Sequence, residues 1–236
     1  MLETKLSVIV PCYNEEKNIP LMLDRFGKVI KRKDIEVILV NNGSMDNSQH
    51  VMESLLPGHP FARICKVEKN QGYGFGILSG LRSAKSEYLA WTHADMQTDP
   101  SDVVRALEIV ESSAGPRNMY VKGRRQGRPP ADVFFTWGMG VFESVCLGVS
   151  LSDINAQPNV FHRSFYELWK DPPYDFSLDL YAFYMARKNG FKVIRFPVLF
   201  PNRIHGHSHW NFGLKSKWKF IKRTLDFSIK LKKRLK

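Results

Sequence analysis

The stretch EVILVNNGSMD, residues 36–46, decides the fold. It opens as an apolar strand, Glu36-Val37-Ile38-Leu39-Val40, with no polar alternation after Glu36. It then breaks into the turn Asn41-Asn42-Gly43-Ser44, and a helix is expected from about Asp46. A continuous apolar strand followed by a polar turn and a helix reads as one unit of a parallel sheet buried on both faces. The unit recurs on either side. Upstream, Leu6–Val10 reads as a buried strand stopped by Pro11, followed by a helix over 19–31 with Ile19, Met22, Leu23, Phe26 and Ile30 on one face and Asn18 as N-cap. Downstream come a strand over 62–67, a helix over 74–85 and a strand over 87–92. Asp99-Pro100-Ser101-Asp102 then opens another helix, with Asp as cap, Pro at the first position and an acid in the first turn.

This alternation predicts an α/β fold with a mainly parallel central sheet. Such sheets bind ligands beyond the carboxyl ends of their strands. Three polar stretches fall there, Pro11–Glu15, Asn41–Asp46 and Thr92–Gln97, and they are expected to converge on one crevice. After residue 115 the rhythm changes. Met119–Val121 reads as a strand, Arg124–Pro130 as a basic loop, 132–148 as an apolar, aromatic-rich helix, 177–189 as a helix and 192–199 as a strand.

A chain of 236 residues with 43% hydrophobic residues can bury a substantial core. Cys12, Cys65 and Cys146 are too scattered for a disulfide framework, which favours a reducing compartment. The first residues lack a basic, then apolar, secretion signal, and no run approaches the roughly 18 apolar residues of a spanning helix. The net charge of +12 is uneven: residues 214–236 hold ten Lys/Arg against one acid, Asp226. At helical spacing, Leu214, Trp218, Ile221, Leu225 and Ile229 form one stripe, with lysines filling much of the other side. That composition fits a basic amphipathic helix at an anionic membrane surface. A helix docked on the domain and a nucleic-acid tail are the competing readings; the high apolar share argues against the last.

In WTHADMQTDP, residues 91–100, Asp95 and Gln97 face the same way if the segment is extended. One carboxylate and one amide carbonyl suit Mg²⁺ or Mn²⁺ completed by substrate phosphates. A helix-capping loop accounts for the same spacing. Gly72-Tyr73-Gly74-Phe75-Gly76 is not GxGxxG and reads as a tight turn with close packing at a helix start. His205, His207 and His209 alternate, but in a glycine-broken segment that suits an exposed loop or acceptor contacts better than a zinc site.

Several motifs in order carry a resemblance. Val10–Glu16 resembles the PxYNE opening of family 2 glycosyltransferases, Val40–Asp46 their VDDGSxD turn, Asn70–Gly74 their NxGxG helix entry and Ala94–Gln97 their DADxQ metal motif. Lys122–Arg125 resembles a segment ending in Arg, Asp153 with Phe161-His162-Arg163 a D…FR block, Phe176–Asp179 an FxxE/D helix and Arg203–His209 an RxxGxSK segment. The later motifs resemble the dolichyl-phosphate-mannose-synthase-like branch, which transfers sugars to polyprenyl phosphates.

The resemblance implies a glycosyltransferase A-type (Rossmann-like) fold over residues 1–212, with a nucleotide-sugar half, 1–115, and an acceptor half, 116–212, followed by the basic amphipathic helix, 213–236. It implies donor contacts at Pro11, Tyr13, Asn14, Glu15, Asn41, Asn42 and Asp95, and a divalent ion, Mg²⁺ or Mn²⁺, on Asp95 and Gln97. Arg125, Arg203, Ser208 and His209 would hold the acceptor phosphate, and Asp179 would orient the acceptor or act as base. Asp95, Asp179, Arg125 and Arg203 are therefore the expected catalytic set.

The implied reaction is an inverting, metal-dependent transfer from a nucleotide-diphosphate sugar to a polyprenyl (dolichyl or undecaprenyl) phosphate. It would take place peripherally at the cytoplasmic membrane face, with a separate membrane partner and no nucleic acid. The chain departs from the pattern at Asn41, Asn42, His93 and His209, where Asp, Asp, an acid and Lys would stand. Two alternatives stand beside it: a family 2 transferase acting on a saccharide hydroxyl in envelope polysaccharide assembly, and a non-catalytic nucleotide-sugar binder.

Overall fold

The structure is a computed structural model that describes residues 4–201, 222 and 225–232. Seven strands form one sheet in the order β3-β2-β1-β4-β6-β5-β7. They are β1 (Leu6–Cys12), β2 (Ile35–Asn42), β3 (Ala62–Val67), β4 (Tyr88–Trp91), β5 (Met119–Gln126), β6 (Asn159–His162) and β7 (Lys192–Leu199). The β3-β2-β1-β4 half is parallel throughout. β6 runs antiparallel to both β4 and β5, and β5 pairs in parallel with β7. The expected mainly parallel α/β sheet is therefore present, with one reversed strand that joins the two halves.

The helices are α1 (Asn18–Val29), α2 (Ser48–Leu55), α3 (Tyr73–Ser83), α4 (Pro100–Glu111), α5 (Pro130–Leu147), α6 (Arg163–Glu167) and α7 (Ser177–Lys188). Alternate residues of each central strand face opposite layers. Val8 and Val10, with Val37 and Leu39, pack in the layer of Ile19, Leu23, Phe26 and Leu107. Ile9, Ile38 and Val40 face the layer of Ile77, Leu81, Tyr181 and Phe183. This is why the strands read as unbroken apolar runs.

Three local readings change. Asn18 is the first residue of α1 rather than its cap, and its side chain donates to Glu15 Oε2 at 2.6 Å. β5 extends to Gln126, so Arg124 and Arg125 lie on a strand, because β7 offers a parallel partner through Gln126↔Leu199. β6 is a strand the periodicity did not mark, being only four residues long. Asp99 caps α4 as expected, accepting from Ser101 N at 2.8 Å. No helix among the described residues is long and apolar enough to cross a membrane.

Candidate active site

The register aligns Cys12 with Asn41 and Ile9 with Trp91, so the ends of β1, β2 and β4 are neighbours. The loops after β1 and β2 are laced together. Asn14 N donates to Ser44 Oγ at 3.1 Å, and Met45 N donates to Asn14 Oδ1 at 2.8 Å. Glu15 N donates to Ser48 Oγ at 3.0 Å and Glu16 N to Asp46 Oδ2 at 3.2 Å. Asn14 has φ +57°, a left-handed conformation that Asn adopts more readily than most residues. Asn41 uses both ends of its amide locally: Oδ1 accepts from Ser44 N at 3.0 Å and Nδ2 donates to Gln49 Oε1 at 2.6 Å. Asn42 Nδ2 donates to Gly72 O at 3.0 Å, while its Oδ1 is buried without a partner among the described residues.

Beyond β4, Thr92 N donates to Ile9 O at 3.1 Å and keeps the chain against β1 for one more residue. Asp95 is buried and its Oδ1 accepts from Gln97 N at 3.1 Å. Gln97 Nε2 donates to Pro201 O at 3.0 Å. Among the described residues no group of three or more His, Cys, Asp or Glu could by itself hold a metal ion. The segment is not extended as expected: Met96 has φ +58°, so Asp95 meets the Gln97 backbone while the Gln97 side chain turns to Pro201. The single buried carboxylate fits a divalent ion shared with a diphosphate rather than a self-contained metal centre.

Asp179 sits in the first turn of α7, 1% exposed. Its Oδ1 accepts from Trp91 Nε1 at 3.1 Å, Gln157 Nε2 at 3.0 Å and, at longer range, Asn159 Nδ2 at 3.4 Å. Burial raises its pKa, opposed first by the charge on Lys122 and then by that on His93. Tyr73 OH accepts from Gln157 Nε2 at 3.1 Å. Burial raises its phenol well above the usual value, and the charges of Asp179 and Asp95 both add to the effect. Its ring stacks on Phe176 at 4.6 Å and lies 6.2 Å from the His93 ring. Gly72, at φ +120°, permits this arrangement, because a Cβ there would run into the Tyr174 carbonyl. Phe75 N donates to that carbonyl at 2.9 Å.

Arg125 faces Asp153. Its backbone N and its Nε each donate to the carboxylate at 2.8 Å, and its Nη2 also contacts Oδ1. Arg128 and Arg195 approach the same carboxylate at 3.6 and 3.8 Å. Burial alone would raise the Asp153 pKa, but the guanidiniums hold it below the usual range. Three guanidiniums around one carboxylate leave an excess of positive charge at the end of β5. The guanidinium of Arg125 also lies 5.0 Å from the centre of the Phe200 ring. Arg203, Ser208 and His209 lie outside the described residues, as do His205, His207 and most of 213–236.

Sequence reasoning did not single out Trp91, Lys122, Gln157 or Asn159 as site residues. A signal was present in two places. Lys122 follows the apolar run Met119–Val121 inside a strand, and Gln157 and Asn159 flank Pro158 just before an apolar pair. All three are fully buried.

Solved structures share the fold. Glucosyl-3-phosphoglycerate synthase from Mycobacterium tuberculosis, in complex with Mn²⁺, UDP and phosphoglyceric acid, superposes with a TM-score of 0.73 at 15% identity, covering 96% of this chain and 78% of that one. The mannosyltransferase PcManGT from Pyrobaculum calidifontis, in complex with GDP-Man and Mn²⁺, gives 0.66 at 21% identity, covering 89% and 59%. The architecture is that of the glycosyltransferase A-type enzymes. Residues 7–133 match Glycosyl transferase family 2, and the chain belongs to that family. Curated relatives include the undecaprenyl-phosphate 4-deoxy-4-formamido-L-arabinose transferases of Proteus mirabilis, 33% identical over 112 residues, and Serratia proteamaculans, 30% identical over 111. Each alignment covers 45% of this chain and 34% of the relative, so the chain spans about a third of the length of the curated relatives it matches.

Proposed function

We propose that the chain transfers a sugar, with inversion, from a nucleotide-diphosphate sugar to a polyprenyl phosphate at the cytoplasmic face of a membrane. The observation that carries this reading is the convergence of three motif-bearing loops, after β1, β2 and β4, beside the buried carboxylate of Asp179. In this reading Pro11, Tyr13, Asn14, Glu15 and Asn42 line the nucleoside pocket, and Asn42 Oδ1, without a partner among the described residues, accepts from the donor. Asn41, committed to Ser44 and Gln49, shapes the turn. Asp95 and Gln97 hold a Mg²⁺ or Mn²⁺ ion with the diphosphate. Such an ion, when bound, stabilises negative charge on the departing nucleoside diphosphate.

A lipid-phosphate acceptor is already an anion and needs little help from a base. Asp179 then orients it, while the arginine-rich end of β5, with Arg203, Ser208 and His209, supplies positive charge for it. The relatives' names support the lipid phosphate. So does α5, whose exposed residues include Val133, Phe134, Trp137, Val141, Phe142 and Val145 and no charged side chain. An aromatic surface whose one part-exposed charge is Asp132 in the first turn, in a chain with a strongly basic C-terminal sequence, suits a membrane interface.

The test is incubation with UDP- and GDP-sugars, Mg²⁺ or Mn²⁺, and short polyprenyl phosphates or free saccharides. Lipid-linked sugar is the expected product. Transfer to saccharides alone would replace the acceptor assignment, and nucleotide binding without turnover on any acceptor would leave a binder.

A further inference from the structure

Lys122 opens the segment that resembles the Arg-ending motif, a resemblance that gives it no role, yet it is one of the largest fully buried side chains among the described residues. Its Nζ donates to Ala156 O at 2.6 Å and to Asn159 Oδ1 at 2.7 Å, and lies 5.8 Å from the centre of the Phe183 ring. Burying an ammonium group is costly unless its protons find acceptors and its charge finds a partner. The acceptors are those two oxygens. Burial pushes the Lys122 pKa down to about 7, opposed first by the charge of Asp179, and Lys122 is in turn the leading favourable charge acting on Asp179.

The hydrogen bonds between them run in one direction. An ammonium group can only donate, so it fixes the Asn159 carbonyl toward itself. Tyr120 OH donates to the same oxygen at 2.8 Å. The Asn159 amide nitrogen must then point the other way, and it donates to Gln157 Oε1 at 2.7 Å. With its carbonyl occupied, Gln157 can only offer its nitrogen, which donates to Asp179 Oδ1 at 3.0 Å and to Tyr73 OH at 3.1 Å. Reversing either amide would set carbonyl against carboxylate or nitrogen against ammonium.

We propose that Lys122 is a positioning residue for Asp179: it sets the direction of a buried chain, Lys122 to Asn159 to Gln157, that presents donors to one carboxylate oxygen and balances its charge. The role of Asp179 in transfer rests on the function proposed above; the coupling between Lys122 and Asp179 does not.

The test is a double-mutant cycle on the full chain, read by thermal unfolding and by turnover. Lys122→Met leaves a buried carboxylate without its counter-charge and lowers the melting temperature. Adding Asp179→Asn removes that charge and recovers at least half of the loss. A double variant no more stable than Lys122→Met overturns the proposal whether or not any acceptor has been found. In the transfer assay, Lys122→Met reduces kcat at least tenfold while the KM for the donor stays within about threefold. Unchanged kcat in a folded Lys122→Met protein also overturns it. Should Lys122→Met not fold, Gln157→Met removes the last donor of the chain at nearly constant volume. It is expected to show the same loss of kcat without loss of donor binding, and wild-type kcat in Gln157→Met would overturn the proposal. Absence of turnover by the wild-type chain on every acceptor overturns the transfer reading alone, and the unfolding cycle still decides the coupling.

Discussion

Trp91 Nε1 donates to Asp179 Oδ1 at 3.1 Å, tying the last residue of β4 to the first turn of α7 across 88 positions of sequence. The indole is wholly buried, with its ring edge-on to Phe161 and Trp169. Trp91→Phe keeps an aromatic ring there and removes the donor. A hydrogen bond to a charged acceptor contributes about 1.5–3 kcal/mol, so a stability loss of that order is expected in denaturant unfolding. Losing a donor to the ionised form also raises the Asp179 pKa further. If Asp179 must be ionised for turnover, the acid limb of the pH–rate profile moves to higher pH in Trp91→Phe. An acid limb at its wild-type position would remove Asp179 from that limb.

His93 stands where the family 2 motif that this loop resembles carries an acid, and its charge acts on Asp179. Asp95 is the buried carboxylate of the same loop. Asp95→Ala is expected to abolish Mn²⁺-dependent binding of UDP or GDP in calorimetry and to reduce turnover by at least a hundredfold. His93→Ala should keep metal-dependent nucleotide binding within about tenfold. Equal losses in the two variants would make His93 part of the ion site.

The parallel half of the sheet was legible because each strand is buried on both faces and ends in its own polar turn, as Glu36–Asp46 does. The cap at Asp99 was legible because the signal is local: side chain to backbone two residues on. β6 was not, because four residues carry no period and its pairing with β4 and β5 is tertiary. Of the candidate site, the loops that local motifs mark were readable. The Lys122–Asn159–Gln157 chain was not, since its members come from different strands and a loop. A buried polar residue announces itself only through the partners that folding brings to it.

Gly123 illustrates such a hidden constraint. It lies beside Lys122 on β5, and a Cβ at this position would overlap the Gln157 carbonyl, with the next atom of that peptide at 2.8 Å. Backbone cannot yield as a side-chain tip can. Gly123→Ala is therefore expected to destabilise by about 1–3 kcal/mol, the usual cost of overpacking. By pushing the 157 segment outward it should also lower kcat more than it raises donor KM. A fully stable Gly123→Ala would mean that the loop before β6 gives way freely.

Glu143, on the inner face of α5, is wholly buried, and one oxygen contacts Ser228 Oγ of the C-terminal helical segment. Its other oxygen has no partner among the described residues. Burial pushes its pKa from the ordinary 4.5 up to about 7, opposed by the Ser228 hydrogen bond. The sign follows from proton counting. Between pH 4.5 and about 7 the folded chain holds a proton on Glu143 that the unfolded chain has lost, so stability falls as pH rises through this window and levels off above it. The full shift corresponds to at most about 3.5 kcal/mol. Glu143→Gln cannot ionise, so its melting temperature should lose this component of the decline between pH 5 and pH 8. The variant should also gain on the wild type as pH rises, with the largest advantage at pH 8. A wild-type melting temperature that changes between pH 5 and pH 8 no differently from that of Glu143→Gln would mean that this carboxyl titrates as an exposed one does, and that the contact between α5 and Ser228 does not bury it in solution.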